Sequence, residues 1–177
     1  MRTVTYGGAC SLDMFLAGPD GALDWLRYSR DVQRVMATYW ATIDTVLVGR
    51  KTWEVAARGP GGWASGPGIV TYLFSRTMRE APAGVHLVAD DAGGVVRRLK
   101  RRSGKGICLM GGADLAHSLF DAEVVDEVGL NVHPVLLGAG VPVFHDLGRR
   151  VSLTLKESRV LMAGCVLLTY RVKRGGR

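Results

Sequence analysis

Two apolar runs that each break at glycine and continue as a helix constrain this chain more than any other feature. Val46-Leu47-Val48-Gly49-Arg50-Lys51-Thr52-Trp53 is one, and Ile107-Cys108-Leu109-Met110-Gly111-Gly112-Ala113-Asp114-Leu115 is the other. An unbroken apolar run marks a strand buried on both faces, which belongs to a parallel sheet covered by helices. Glycine lets the backbone turn sharply, and the next helix aims its free N–H groups beyond the strand end. Phosphate binds at such junctions. Two of them in a small chain point to one ligand with phosphate at more than one place, and a dinucleotide suits that.

The rest of the chain supports the same architecture. Val4 to Cys10 has a strand pattern, and Ser11 to Asp24 is a loop around the turn signal Gly18-Pro19-Asp20-Gly21. Val32, Val35, Met36, Tyr39, Trp40 and Ile43 recur as one buried helical stripe, with Ser29 as N-cap and Asp31 in the first turn. Strands are expected at 45–48, 69–75, 85–89 and 106–110, and helices at 50–57 and 113–121. Asp90 or Asp91 caps a basic helix, and the glycine-rich segment 58–68, with Trp63, is a mobile loop. The rhythm then changes to strands alone at 125–135, 151–158 and 165–172. The expected fold is a three-layer α/β/α sandwich, mainly parallel, with antiparallel C-terminal strands.

A length of 177 residues favours one domain, here 1–173, with a polar, frayed tail at 174–177. No apolar run is long enough to span a membrane, and the N-terminus lacks a signal-peptide pattern, so a cytoplasmic protein is expected. Cys10, Cys108 and Cys165 sit apart in apolar runs and are expected as buried thiols. The four histidines offer no metal spacing, so no metal is expected. The net charge of +7 is concentrated in Arg97-Arg98-Leu99-Lys100-Arg101-Arg102. There Val95, Val96 and Leu99 form the inner face and the charges a solvated outer one, so nucleic acid is not an expected partner. A basic chain does suit a polyanionic cofactor.

Three strand ends carry candidate ligands for such a cofactor. Gly111 and Gly112 allow close backbone approach to a diphosphate, ahead of the helix that begins Ala113-Asp114-Leu115. Gly49-Arg50-Lys51-Thr52 adds a planar guanidinium, an ammonium and a hydroxyl. Ser75-Arg76 places a hydroxyl beside a guanidinium, which suits a ribose phosphate. In open α/β sheets ligands lie outside the carboxyl ends of the strands, and all three candidates are expected there. The fingerprint GxGxxG is absent, which disfavours a conventional dehydrogenase fold.

At this point the order of motifs resembles the dihydrofolate reductase-like superfamily. It is most similar to the bacterial family of the RibD C-terminal domain, the reductase part of the riboflavin-biosynthesis deaminase-reductase. The marks are Ser11-Leu12-Asp13, Ala17-Gly18-Pro19-Asp20-Gly21, Trp25, Val48 to Trp53, Phe74-Ser75-Arg76-Thr77, Gly111 to Leu115, Val125-Asp126-Glu127 and His133 to Phe144. The resemblance implies NADPH across the strand ends. Val48, Gly49, Arg50, Lys51 and Thr52 would hold its phosphates, and Ser75 and Arg76 its 2′-phosphate. Met110, Gly111, Gly112, Ala113, Asp114 and Leu115 would cradle the diphosphate. Ala9, Leu16, Ala17 and Trp25 would lie on the nicotinamide side. It also implies a homodimer through the C-terminal strands.

The implied activity is NADPH-dependent reduction of a small heterocyclic or carbonyl substrate, pterin- or pyrimidine-like. The family's own reaction is that of 5-amino-6-(5-phosphoribosylamino)uracil reductase. The alternative is a non-catalytic NADP(H)-binding or regulatory protein. A proton donor would be a carboxyl whose pKa burial has raised, with Asp31 first and Asp13 and Asp24 as the other candidates, or a bound water. Three departures from the family stand out. Met14 replaces its usual glycine, which would alter the loop if that residue needs an unusual backbone angle. Met110 and Ala56 replace acidic residues of the riboflavin reductases, which argues for a different substrate, more apolar and covered by the Trp63 loop.

Overall fold

The computed structural model describes residues 1–58 and 66–174. Ten strands and four helices follow in the order β1 (Val4–Ser11), β2 (Phe15–Ala17), α1 (Arg30–Ala41), β3 (Ile43–Gly49), α2 (Arg50–Arg58), β4 (Val70–Phe74) and β5 (Val85–Val88). Then come α3 (Ala92–Arg101), β6 (Gly106–Met110), α4 (Ala113–Asp121), β7 (Glu127–His133), β8 (Val141–Pro142), β9 (Leu153–Val160) and β10 (Val166–Val172). Eight strands form one sheet in the order β5-β4-β3-β6-β1-β7-β10-β9. The first six are parallel, and β10 and β9 add on antiparallel. The mixed three-layer sandwich expected from the sequence is the fold.

Strand alternation sorts the layers. Tyr6 and Cys10 of β1, Leu109 of β6 and Val128, Leu130 and Val132 of β7 join Val96, Leu99, Leu115, Leu119 and Phe120 of α3 and α4 in the main core. Val46, Val48 and Cys108 meet Tyr39, Trp40 and Trp53 of α1 and α2 on the opposite face. All three cysteines are buried free thiols, and burial pushes the Cys10 thiol up to about 11.

Several local expectations change. Ile43 belongs to β3 and not to the helical stripe. Only Val32 of α1 is buried and Met36 is exposed, so this helix covers the sheet loosely. Ser29 occupies the N-cap position of α1, but its hydroxyl donates to Asp31 instead of capping a backbone N–H. Asp91 is the cap of α3 and accepts from Gly94 N–H. Lys100, placed with the solvated charges, is buried and bonds Val124 O at 3.0 Å and Asp126 at 2.5 Å. The loop after β1 contains β2, which pairs with β8. Arg174, expected to fray, pairs with Asp126 at 2.8 Å, and Lys173 N–H bonds Ser152 O. Most of the segment 58–68, including Trp63, lies outside the described residues. Among those described, no helix is long and apolar enough to cross a membrane.

Candidate functional site

Strand register brings the sequence candidates together. Val48 of β3 pairs with Met110 of β6, and Gly49 pairs with Phe74 of β4. The three junctions that follow, Gly49-Arg50, Gly111-Gly112 and Ser75-Arg76, therefore meet at one edge of the sheet. A cleft of about 550 Å³ opens there. Gly49, Arg50, Lys51, Thr52, Ser75, Arg76, Gly112, Asp114 and Leu115 all line it. The expected residues Val48, Met110, Gly111 and Ala113 flank these in the chain without lining the cleft.

Backbone angle holds two of these positions to glycine. Gly111 and Gly112 both have positive φ, at 54° and 77°. A Cβ on Gly112 would lie 3.5 Å from Thr52 Oγ1, and one on Gly49 would meet Leu115 at 3.8 Å. The starts of α2 and α4 are neighbours, and residues of both N-termini line the cleft. Their unpaired N–H groups and dipoles make this end electropositive.

The side chains divide into free and engaged groups. Lys51 and Arg76 are exposed and have no partner among the described residues. Arg50 is held by Glu54 at 2.7 Å within α2. Asp114 lies 2.9 Å from His145 Nε2. Ser75 is buried, and its hydroxyl accepts from the N–H of Met78 at 3.0 Å and of Thr77 at 3.3 Å. It shapes the turn that presents Arg76. Sequence reasoning missed the wall opposite, where Val88, Asp90, Asp91 and Gly93 line the cleft. That wall is a fourth strand-to-helix junction, and the local pattern marks Asp90 and Asp91 only as caps.

The residues expected near the nicotinamide do not line this cleft. Ala9 is half-buried in β1, across from Asn131 of β7. Leu16 packs on the main core, and Ala17 pairs with Val141. Trp25 donates from Nε1 to Ala22 O and stands edge-on to His133 at 5.4 Å. His133, which Trp25 meets, opens one of the family motifs and lies beside Asn131. His133 is 1% exposed, and burial, with the Arg27 charge, holds its imidazole below the usual histidine pKa.

Two of the carboxylates considered as proton donors are hydrogen-bonded in ways that favour their charged forms. Asp31 accepts from the hydroxyl of Ser29 at 2.5 Å, from Val32 N–H and from the N–H of Met162. These donors, the Ser29 hydroxyl first, hold its pKa below the ordinary carboxylate value. Asp13 accepts from the Ser11 hydroxyl at 2.6 Å and from the N–H groups of Leu137 and Gly138. It too is lowered, mainly by Ser11. A donor needs a raised pKa, and hydrogen bonding to the charged form does the reverse. Asp13 instead ties the loop after β1 to the segment before β8. Met14, in that loop, adopts φ 65°. The backbone angle that glycine favours is kept although the glycine is not.

Comparison with known proteins agrees with this geometry. The RibD C-terminal domain family matches residues 2–167. Uncharacterized protein YyaP of Bacillus subtilis is 32% identical over 179 residues, covering 96% of this chain and 94% of its own. Uncharacterized protein YwjB of the same organism is 32% identical over 161 residues, covering 89% and 91%. A Shewanella sp. PV-4 crystal structure named provisionally for riboflavin biosynthesis superposes with a TM-score of 0.85 at 25% identity, covering 98% of this chain and all of that one. A pyrimidine reductase-like protein from Corynebacterium diphtheriae gives 0.73 at 15% identity, over 98% and 93% of the two chains, and shares the fold.

Proposed function

The chain belongs to the RibD C-terminal domain family, and from that premise we propose that it is an NADPH-dependent reductase of a small heterocyclic or carbonyl substrate, pterin- or pyrimidine-like. One observation carries the reading. Gly49, Arg50, Lys51, Thr52, Ser75, Arg76, Gly112, Asp114 and Leu115, from three separate strand ends, line a single cleft. The fit to the cofactor rests on Gly112, which lines the cleft without a side chain and whose Cβ would stand against Thr52. The free cations Lys51 and Arg76 suit the extra phosphate that distinguishes NADPH from NADH.

NADPH, when bound, supplies a hydride. The protein's part is to bind and orient. The N-termini of α2 and α4 hold the diphosphate, with Thr52 as a hydroxyl donor between them. Arg76 pairs with the 2′-phosphate from the turn that Ser75 fixes. Ala9, Leu16, Ala17 and Trp25 form the nicotinamide side. Asp13 and Asp31 brace the surrounding loops, and a bound water delivers the proton. The protein acts in the cytoplasm as a homodimer. The eight-residue edge strand β9, exposed along its whole length with Leu153, Leu155 and Val160, is the surface for that pairing.

A non-catalytic NADP(H)-binding protein is the second reading, favoured by the lowered pKa of both carboxylates. The deciding experiment is an NADPH titration followed by energy transfer from tryptophan, then NADPH oxidation with pterins, uracils and quinones. The reductase reading expects micromolar binding and turnover of at least one substrate. Binding with no turnover across the panel selects the second reading, and no binding at high micromolar NADPH rejects both.

A further inference from the structure

A carboxylate stands at one of the helix starts that line the cleft. Asp114 is in the first turn of α4 and lines the cleft, with its side chain 75% exposed. The free N–H groups of such a turn attract an anion, and a carboxylate beside them repels it. Among the described residues the charges that line the cleft cancel: Arg50, Lys51 and Arg76 against Asp90, Asp91 and Asp114. Arg50 is also engaged by Glu54, and Asp91 by the Gly94 N–H and, at 3.6 Å, by Arg98. A ligand with several phosphates calls for a more positive cleft than this.

One neighbour alters the balance. His145 sets Nε2 2.9 Å from Asp114 Oδ1, and its Nδ1 lies 3.7 Å from Asp146 Oδ2. Both ring nitrogens face carboxylates, and both are donors only in the imidazolium. The ring is held in place by the residues before it. Val143 is fully buried, and Phe144 stands edge-on to Tyr6 at 5.5 Å and to Phe120 of α4 at 6.2 Å. Asp114 and Asp146 are the ion-pair partners of the ring among the described residues. His117 and Asp121, paired at 2.8 Å, lie further along α4 and do not line the cleft. Arg149, in the segment of His145, bonds Phe120 O at 2.9 Å and pairs with Glu123 at 3.3 Å.

We infer that His145 is a positioning residue of the cofactor site: as an imidazolium it cancels the charge of Asp114 at the start of α4, so that a bound dinucleotide draws a proton from the buffer onto His145. This rests on the NADP(H) binding proposed above. Histidine is the side chain that changes charge between about pH 5 and 8. Its share of the affinity is therefore present at the acid end of that range and lost as the pH rises. The 2′-phosphate of the cofactor titrates in the same range and pulls the other way, so the histidine has to be read by itself.

The test uses NADP⁺, which carries the same phosphates and survives mild acid, with the full chain. The sequence has four histidines, few enough for each ring to be followed by magnetic resonance. Saturating NADP⁺ should move the His145 titration to higher pH by about 0.5, which linkage equates with an affinity gain of about threefold, the usual worth of a partly exposed ion pair. His117 should not move. His145→Gln keeps a donor for Asp114 without the charge. Calorimetry should find it about threefold weaker than wild type at pH 6 and equal at pH 8; a merely structural role would weaken it equally at both. Asp114→Asn should bind NADP⁺ about threefold more tightly than wild type at pH 8, where histidine no longer cancels the charge. An unmoved His145 titration, a loss in His145→Gln that ignores pH, or equal or weaker binding by Asp114→Asn overturns the inference while NADP⁺ binding still stands. The wild-type titration decides alone if a variant fails to fold. Absence of NADP⁺ binding to the wild type removes the cofactor reading itself.

Discussion

Thr52 fills the space that a side chain on Gly111 would need. A Cβ on Gly111 would lie 2.9 Å from Thr52 Cγ2 and 3.0 Å from Thr52 Oγ1. The Thr52 side chain at the start of α2 thus lies beside the backbone that leads into α4. Gly111→Ala adds this clash to a left-handed backbone, and should cost about 2 kcal/mol of stability. It should also weaken NADPH binding more than tenfold. Thr52→Val keeps the shape and removes only the donor, so it should weaken NADPH while the melting temperature barely moves. Equal NADPH affinity in both variants and wild type would show that this contact only packs the two helices.

Arg76 should decide between the two nicotinamide cofactors. It is exposed and has no partner among the described residues, so a 2′-phosphate would meet it without breaking another ion pair. Arg76→Gln should lower NADPH affinity by about tenfold to a hundredfold, the usual worth of a charge-assisted hydrogen bond. NADH affinity should stay constant. A parallel loss for both cofactors would remove the assignment.

Met14 should be improvable. Its φ of 65° is costly for a side chain, and nothing about the loop's hydrogen bonds needs the thioether: Met14 N–H bonds Ser11 O, and its carbonyl accepts from Val143 N–H. Met14→Gly should stabilise the protein by about 0.5–1 kcal/mol, after the entropy gained by the unfolded chain is subtracted. Chemical denaturation reads this directly. A loss of stability would mean that the side chain packs on the loop more than its exposure indicates.

Acid should destabilise the protein in two stages. His133 titrates below its ordinary value when folded, so the unfolded state takes up the proton first. Its contribution is full above about pH 6.5 and is lost as the pH falls from there. Asp13 and Asp31 are also lowered. Their contribution is full above the ordinary carboxylate value and disappears as the pH falls through their folded values. Asp31→Asn should flatten the lower stage of a stability profile between pH 7 and 3 and leave the upper one. A variant whose loss is uniform with pH would show that the charge of Asp31 is not what Ser29 and Met162 bind.

The edge strand offers a test of assembly. Leu155 of β9 is 53% exposed, and Leu155→Lys places a charge in the proposed pairing surface. Light scattering should give a dimer for the wild type and a monomer for the variant, with NADPH still bound. A wild-type monomer would leave β9 without its proposed partner.

Features set by neighbours in the chain are legible in the sequence. Gly106–Met110 and Ala113–Asp121 run as the apolar pattern and the helical stripe indicate. The turn to parallel strands, the antiparallel C-terminus and the Asp91 cap are legible for the same reason: each depends on residues a few positions apart. Other features depend on distant partners. Lys100 looks like its basic neighbours until Asp126 and the Val124 carbonyl reach it. Asp31 resembles a buried acid until Met162, from beyond β9, donates to it. Strands β2 and β8, three and two residues long, are too short to show any period.

By itself the sequence determined the glycine junctions, the helices behind them and the cationic and hydroxyl groups they carry, because turns, caps and periodicity are local. The tertiary structure decided which of these meet. Strand register set Gly49, Gly111 and Ser75 at one edge, and it put Asn131 across from Ala9. Packing also decided which polar groups are satisfied, since that depends on donors from strands far apart in the chain. Asp13 and Asp31 thereby gained backbone donors from Gly138 and Met162, and one amide oxygen, Oδ1 of Asn131, was left without a partner.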